Sequence, residues 1–111
     1  MPDPGILERL YGVIEERRNS LESRSEKSYV AALLADRARL EAKLHEELDE
    51  LIEAARGDDP AHVRHEAADL LFHVWVLLGS VELSPGEVYA ELERRFGTGG
   101  FVEKAARRSG P

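Results

Sequence analysis

The sequence predicts an all-α protein, an antiparallel bundle of about four helices that is completed by dimerisation. Three observations carry this. Apolar residues recur at helical spacing along most of the 111 residues, the breaks between them are short and built from capping residues, and no stretch alternates apolar with polar as a strand would. One third of the residues are charged, which suits long solvated helix faces. A chain of this length holds one core, so residues 1–111 are read as a single domain, with 1–5 and 105–111 expected to be flexible.

Pro2, Pro4 and Gly5 make an irregular start. Ile6, Leu7, Leu10, Tyr11 and Ile14 then mark a first helix running to about Leu21. The polar stretch from Glu22 to Lys27 reads as a loop, and Ser28 as the N-cap of the next segment. That segment, Tyr29 to Arg56, carries Leu33, Leu34, Leu40, Leu44, Leu48, Leu51 and Ile52 near one face. It is either one helix or a short helix followed by a longer one. In the turn Gly57–Pro60, Gly57 suits a helix end, Asp59 a cap and Pro60 a first helical position. The helix from Ala61 to about Val81 is apolar almost all round between Leu70 and Leu78, more than the rest of so short a chain can cover. A homodimer or higher homo-oligomer is therefore expected. Ser84, Pro85 and Glu87 have the spacing of a capping box for a last helix ending at Gly97. Thr98 to Pro111 form a tail that holds Gly99-Gly100 and the basic cluster Lys104, Arg107 and Arg108.

Fifteen Lys and Arg against 22 Asp and Glu give a net charge of −7, a poor balance for a nucleic-acid binder. Cysteine is absent, which rules out a thiolate nucleophile and a Cys-based zinc site. No apolar run reaches the roughly 18–20 residues that span a bilayer, and the first residues lack the basic and apolar regions of a signal peptide. A cytoplasmic location without membrane or nucleic-acid partners is expected.

The acids carry the chemistry. Glu47 and Glu50 are spaced i, i+3, as are Glu66 and Asp69, and each pair shares a helix face. The midpoint between the two pairs falls at residue 58, inside the Gly57–Pro60 turn, so an antiparallel hairpin brings them to the same height. Four facing carboxylates repel one another unless a cation sits between them. Mg2+ takes oxygen ligands at about 2.0–2.1 Å and keeps waters that phosphate oxygens can replace. Such a site lets an acidic protein bind a polyphosphate. Acids are abundant here, however, and a pair such as Glu46 with Asp49 is ordinarily a solvated helix face.

Lys43-Leu-His-Glu-Glu-Leu-Asp-Glu50 and Glu66-Ala-Ala-Asp-Leu-Leu-Phe-His73, with Ser28-Tyr29, Glu91-Leu-Glu-Arg-Arg95 and the Gly99–Arg107 tail, resemble the MazG-like nucleotide pyrophosphohydrolases. Within these they look most like the phosphoribosyl-ATP pyrophosphohydrolases of histidine biosynthesis. The resemblance implies Mg2+-dependent cleavage of a nucleotide substrate between its α and β phosphates, with Glu47, Glu50, Glu66 and Asp69 as metal ligands. Glu46 would hold a second metal or orient the attacking water. Lys43 is a candidate phosphate contact or an ordinary i, i+4 ion pair with Glu47. Arg94, Arg95 and Lys104 are candidates for the ribose phosphate, or else exposed charges. The chain departs from the family pattern at Val30, His45 and Phe72, where Thr, Gly and Tyr are usual, and these positions bear on the substrate. His45, His62, His65 and His73 have no second coherent ligand set, so zinc is not expected. His73, one turn after Asp69, can bond that carboxylate or be a satisfied core histidine. The alternative functions are a house-cleaning nucleoside triphosphate pyrophosphatase and a non-catalytic helical dimerisation module.

Overall fold

The computed structural model describes residues 2–20 and 28–97. Among these residues five helices follow one another: α1 (Ile6–Asn19), α2 (Tyr29–Ala35), α3 (Arg37–Ala55), α4 (Pro60–Ser80) and α5 (Pro85–Gly97). No strand occurs among the described residues. The proposed loop from Glu22 to Lys27 and the tail beyond Gly97 lie outside them.

The long segment from Tyr29 to Arg56 is the short-then-long pair. Asp36 leaves helical geometry at φ −136° and ψ 87°. Its N–H donates to the Leu33 carbonyl, and its carboxylate accepts from the Arg39 N–H at 3.1 Å. One residue thus ends α2 and caps α3. Ser28 Oγ accepts from Ala31 N–H at 3.2 Å, and Asp59 accepts from Ala61 N–H at 3.1 Å with Pro60 in the first turn. At α5 the box is half made. Glu87 accepts from the Ser84 backbone N–H at 3.2 Å, while the Ser84 hydroxyl donates to the same carboxylate at 3.4 Å and does not cap the helix.

Helices α3 and α4 form the central antiparallel hairpin, α1 packs on α4, α2 touches α1, α3 and α4, and α5 packs on α1. Tyr11, Ile14, Val30, Leu33, Leu40, Trp75 and Val76 make the buried core. Trp75 donates its indole N–H to the Leu7 carbonyl at 3.1 Å, which ties α4 to the start of α1. Of the apolar run on α4, Trp75 and Val76 are buried, whereas Leu71 keeps 43% of its surface exposed. Leu48 and Ile52, expected on the core stripe of α3, are exposed to the same degree.

Gly79 sets how closely α1 and α4 approach. A Cβ there would overlap Ile14 Cγ2, which is fully buried and has no room to move. Gly79→Ala should destabilise the fold by about 1–3 kcal/mol, the usual cost of overpacking. Adding Ile14→Ala, which removes Cγ2, should leave the double variant less destabilised than the sum of the two single changes. Urea denaturation checks both, and a fully stable Gly79→Ala variant would contradict the packing.

Candidate metal and phosphate site

The hairpin of α3 and α4 brings Glu47, Glu50 and Glu66 together, each with a carboxylate oxygen within 4.8 Å of the others. Asp69 does not join this trio. It groups with Glu66 and His65 in a second, overlapping one. The four acids expected to share one cluster therefore form two linked groups that meet at Glu66, with the Asp69 carboxylate turned back along α4 to His65.

Glu47 and Glu66 are 5% and 8% exposed, an unusual depth for carboxylates. Each is tied through one oxygen by a neighbour on its own helix. Lys43 Nζ lies 3.2 Å from Glu47 Oε1, and His62 Nε2 lies 3.4 Å from Glu66 Oε2. The other oxygens, Glu47 Oε2 and Glu66 Oε1, are buried without a hydrogen-bond partner. A bare buried carboxylate oxygen is costly, and buried charges ordinarily pair or coordinate a metal. Two such oxygens with Glu50 beside them are a hard, all-oxygen donor set that fits a divalent cation of the Mg2+ kind.

Lys43 also bonds Glu46 at 3.1 Å, and the hydrogen bonds to Glu46 and Glu47 hold its ammonium well above its ordinary pKa. Its ion-pair reading is realised. Glu46 itself is exposed and lies in neither carboxylate group. His73 is 4% exposed, the satisfied core histidine of the two readings. Its Nδ1 bonds the backbone carbonyl of Asp69 at 2.7 Å and not the carboxylate, because a side chain one turn on sits over the i−4 carbonyl while the carboxylate projects outward to His65. That carbonyl can only accept, so Nδ1 carries the hydrogen, and in the neutral ring Nε2 accepts from the Tyr29 hydroxyl at 2.8 Å. Tyr29 stacks on Phe72, and the Arg39 guanidinium lies 5.5 Å from the centre of its ring. Spacing along the chain gave no sign that Tyr29, Phe72 and His73 form one contact, since it joins α2 to α4.

Arg94 and Arg95 both bond Glu91 on α5, at 2.9 and 3.4 Å, and hold its carboxyl below the usual range. Helix α5 packs on α1, and the structure does not bring either arginine to the acids. Lys104 lies outside the described residues. An apolar groove of about 430 Å3 runs between α1 and α4, lined by Ile6, Leu7, Leu10, Leu71 and Phe72, with Asp69 as its polar wall.

The family model described as phosphoribosyl-ATP pyrophosphohydrolase matches residues 7–96, which include both groups of acids. The chain belongs to the phosphoribosyl-ATP pyrophosphohydrolase family. Proteins named phosphoribosyl-ATP pyrophosphatase are similar over nearly the whole length. That of Geobacter metallireducens is 44% identical over 92% of this chain and 92% of its own. That of Nitrosospira multiformis is 46% identical over 99% of this chain and 89% of its own. That of Rhizorhabdus wittichii is 46% identical over 96% and 98%. The described residues of this chain are all-helical or loop, as expected from the sequence, and among them no single helix is long and apolar enough to cross a membrane.

The Glu50 carboxyl is pushed up from its ordinary value of 4.5, first by partial burial and then by the charges of Glu47 and Glu66. The folded protein therefore holds this proton more tightly than the unfolded chain does. Stability from Glu50 is fully present below the unfolded pKa and is lost as pH rises through the folded one. In chelator, Glu50→Gln should thus be more stable than the parent at pH 7, and the difference should close as pH falls toward 4.5. Urea melts across that range check it, and a gap that stays constant with pH would contradict it.

Proposed function

We propose that this chain hydrolyses phosphoribosyl-ATP to phosphoribosyl-AMP and pyrophosphate, the second step of histidine biosynthesis, and that it depends on Mg2+ to do so. The observation that carries the reading is the pair of buried, unpartnered carboxylate oxygens on Glu47 and Glu66, set beside Glu50 in a member of this family. Glu47, Glu50 and Glu66 would hold the cation, with Asp69 at its edge. When bound, the metal polarises the phosphoryl group and lowers the pKa of a coordinated water.

The residues of the chain do the rest. Glu46 and Glu47 hold the Lys43 ammonium beside the acids and keep it charged, so it is placed to meet a phosphate oxygen. Tyr29 and His73 fix the backbone of Asp69. Water attacks the α phosphorus, the bond to the bridging oxygen of the β phosphate breaks, and pyrophosphate leaves. No side chain has to act as a covalent nucleophile. The test is pyrophosphate release from phosphoribosyl-ATP beside a panel of ordinary nucleoside triphosphates, with and without Mg2+. Hydrolysis of the panel but not of phosphoribosyl-ATP would overturn the substrate, and full activity in chelator would overturn the metal.

The assembly proposed with this function is a homodimer or higher homo-oligomer in a cytoplasmic setting. Leu48, Ile52 and Leu71 are each 43% exposed on the two central helices, and the apolar groove between α1 and α4 adjoins Leu71. Exposed apolar residues on both central helices are what a second copy would cover. Light scattering at micromolar concentration should give twice the 12.4 kDa chain mass or a higher multiple. A folded monomer would contradict it.

A further inference from the structure

Arg39, Lys43, Glu47 and Glu50 follow one another on α3 at i, i+4, i+8 and i+11, a spacing that keeps all four on one face of the helix. Arg39 stands one turn before Lys43, about 6 Å along the axis, on the side away from the acids. It is exposed, and among the described residues it pairs with no carboxylate. Arg37, two residues earlier, is bound to Glu41 at 3.1 Å. The partner of Arg39 is a ring. Its guanidinium carbon lies 5.5 Å from the centre of Tyr29. That ring is itself fixed, since its hydroxyl bonds His73 at 2.8 Å and its face stacks on Phe72. A cation seated on a ring is oriented by the contact, which uses none of its five N–H donors.

The face therefore runs from an acid group through an ammonium to a guanidinium with open donors. A charge at each turn fits consecutive phosphates. It does not fit a base and a ribose lying between two phosphates. A guanidinium fork matches the oxygens of a phosphate, which it can bond through two N–H groups at once. We propose that Arg39 receives the terminal phosphate of the pyrophosphate leaving group, so that the phosphate chain of the substrate runs along α3 from the acids past Lys43 toward the start of the helix. This rests on the α–β cleavage proposed above and adds to it a residue and a direction. In that cleavage water adds to the α phosphorus, its bond to the bridging oxygen breaks, and the electron pair leaves on pyrophosphate. Negative charge grows on the departing group, where a fixed cation at its far end stabilises it.

The test is calorimetry of inorganic pyrophosphate in excess Mg2+ with the full-length parent, Arg39→Gln, Arg39→Lys and Arg37→Gln. Circular dichroism verifies the fold of each. Arg39→Gln should weaken pyrophosphate binding roughly tenfold or more, the effect of losing a charged hydrogen bond. Arg39→Lys should recover part of the loss, because it keeps the charge and not the fork. Arg37→Gln removes the same charge from the same end of α3, but one already bound to Glu41, and should change the affinity less than about twofold. Three results would overturn the proposal: no pyrophosphate binding by the parent, equal affinity in the parent and Arg39→Gln, or an equal loss in Arg37→Gln, which would assign the effect to the general field of the helix end. Pyrophosphate leaves in any α–β cleavage and carries no nucleoside. Failure of phosphoribosyl-ATP as the substrate therefore leaves this test in force, and unchanged binding in Arg39→Gln leaves the hydrolysis itself untouched.

Discussion

Glu47→Gln and Glu66→Gln should each lower Mg2+-dependent turnover by roughly a thousandfold or more, since several kcal/mol of transition-state stabilisation leaves with the metal. The metal-free fold should not suffer. Each substitution removes a negative charge from a place where it is buried, repelled by its neighbours and left with one bare oxygen. The amide keeps the shape and carries no charge, so in chelator these variants should melt at or above the parent temperature, with a gain on the order of 1 kcal/mol. Saturating Mg2+ should raise the melting temperature of the parent by binding only its folded state, and should raise that of the variants much less. Pyrophosphate release and thermal melts with and without Mg2+ give both halves. A variant that kept a tenth of the parent activity, or melted far below the parent in chelator, would mean that these acids serve the fold.

What the sequence made legible was local, and what it hid was tertiary. Ser28, Asp59 and Pro60 act where they stand, because a cap needs only the next three residues. The break at Asp36 was hidden by the apolar stripe that continues from Leu33 to Leu40 across it, so periodicity alone allowed one helix or two. The i, i+3 spacing of Glu47 with Glu50, and their placement opposite Glu66, followed from helix geometry and a short turn. Which acids are buried did not, since Glu46 and Glu47 are adjacent in sequence and only packing against α4 turns one inward and leaves the other in solvent. Counting about residue 58 sets Asp69 level with Glu47 but does not register that its carboxylate turns to His65 and away from the first trio. The pairing of His65, weighed from the sequence only as a zinc ligand, with Asp69 was hidden in a similar way. Its meaning depends on the direction of the Asp69 carboxylate, which no spacing rule supplies.

Arg95→Ala and Lys104→Ala should lose phosphoribosyl-ATP turnover by roughly ten- to hundredfold, from a charged hydrogen bond worth about 1.5–3 kcal/mol. Phosphoribosyl-ATP carries a phosphate on its added ribose that ATP lacks, and a selective enzyme must meet that charge with a cation. Glu91 keeps the guanidinium groups of Arg94 and Arg95 side by side on one face of α5. The helix packs chiefly on α1, so these cations would reach the far end of a substrate across the interface between two copies of the chain. That arrangement makes the effect selective. ATP lacks the phosphate these cations would meet, so any turnover of ATP should change much less, and the loss should appear chiefly in kcat/KM for phosphoribosyl-ATP. The experiment compares both substrates in both variants. Equal losses on the two would assign the residues to the triphosphate or to the fold, and no loss on either would remove α5 and the tail from substrate recognition.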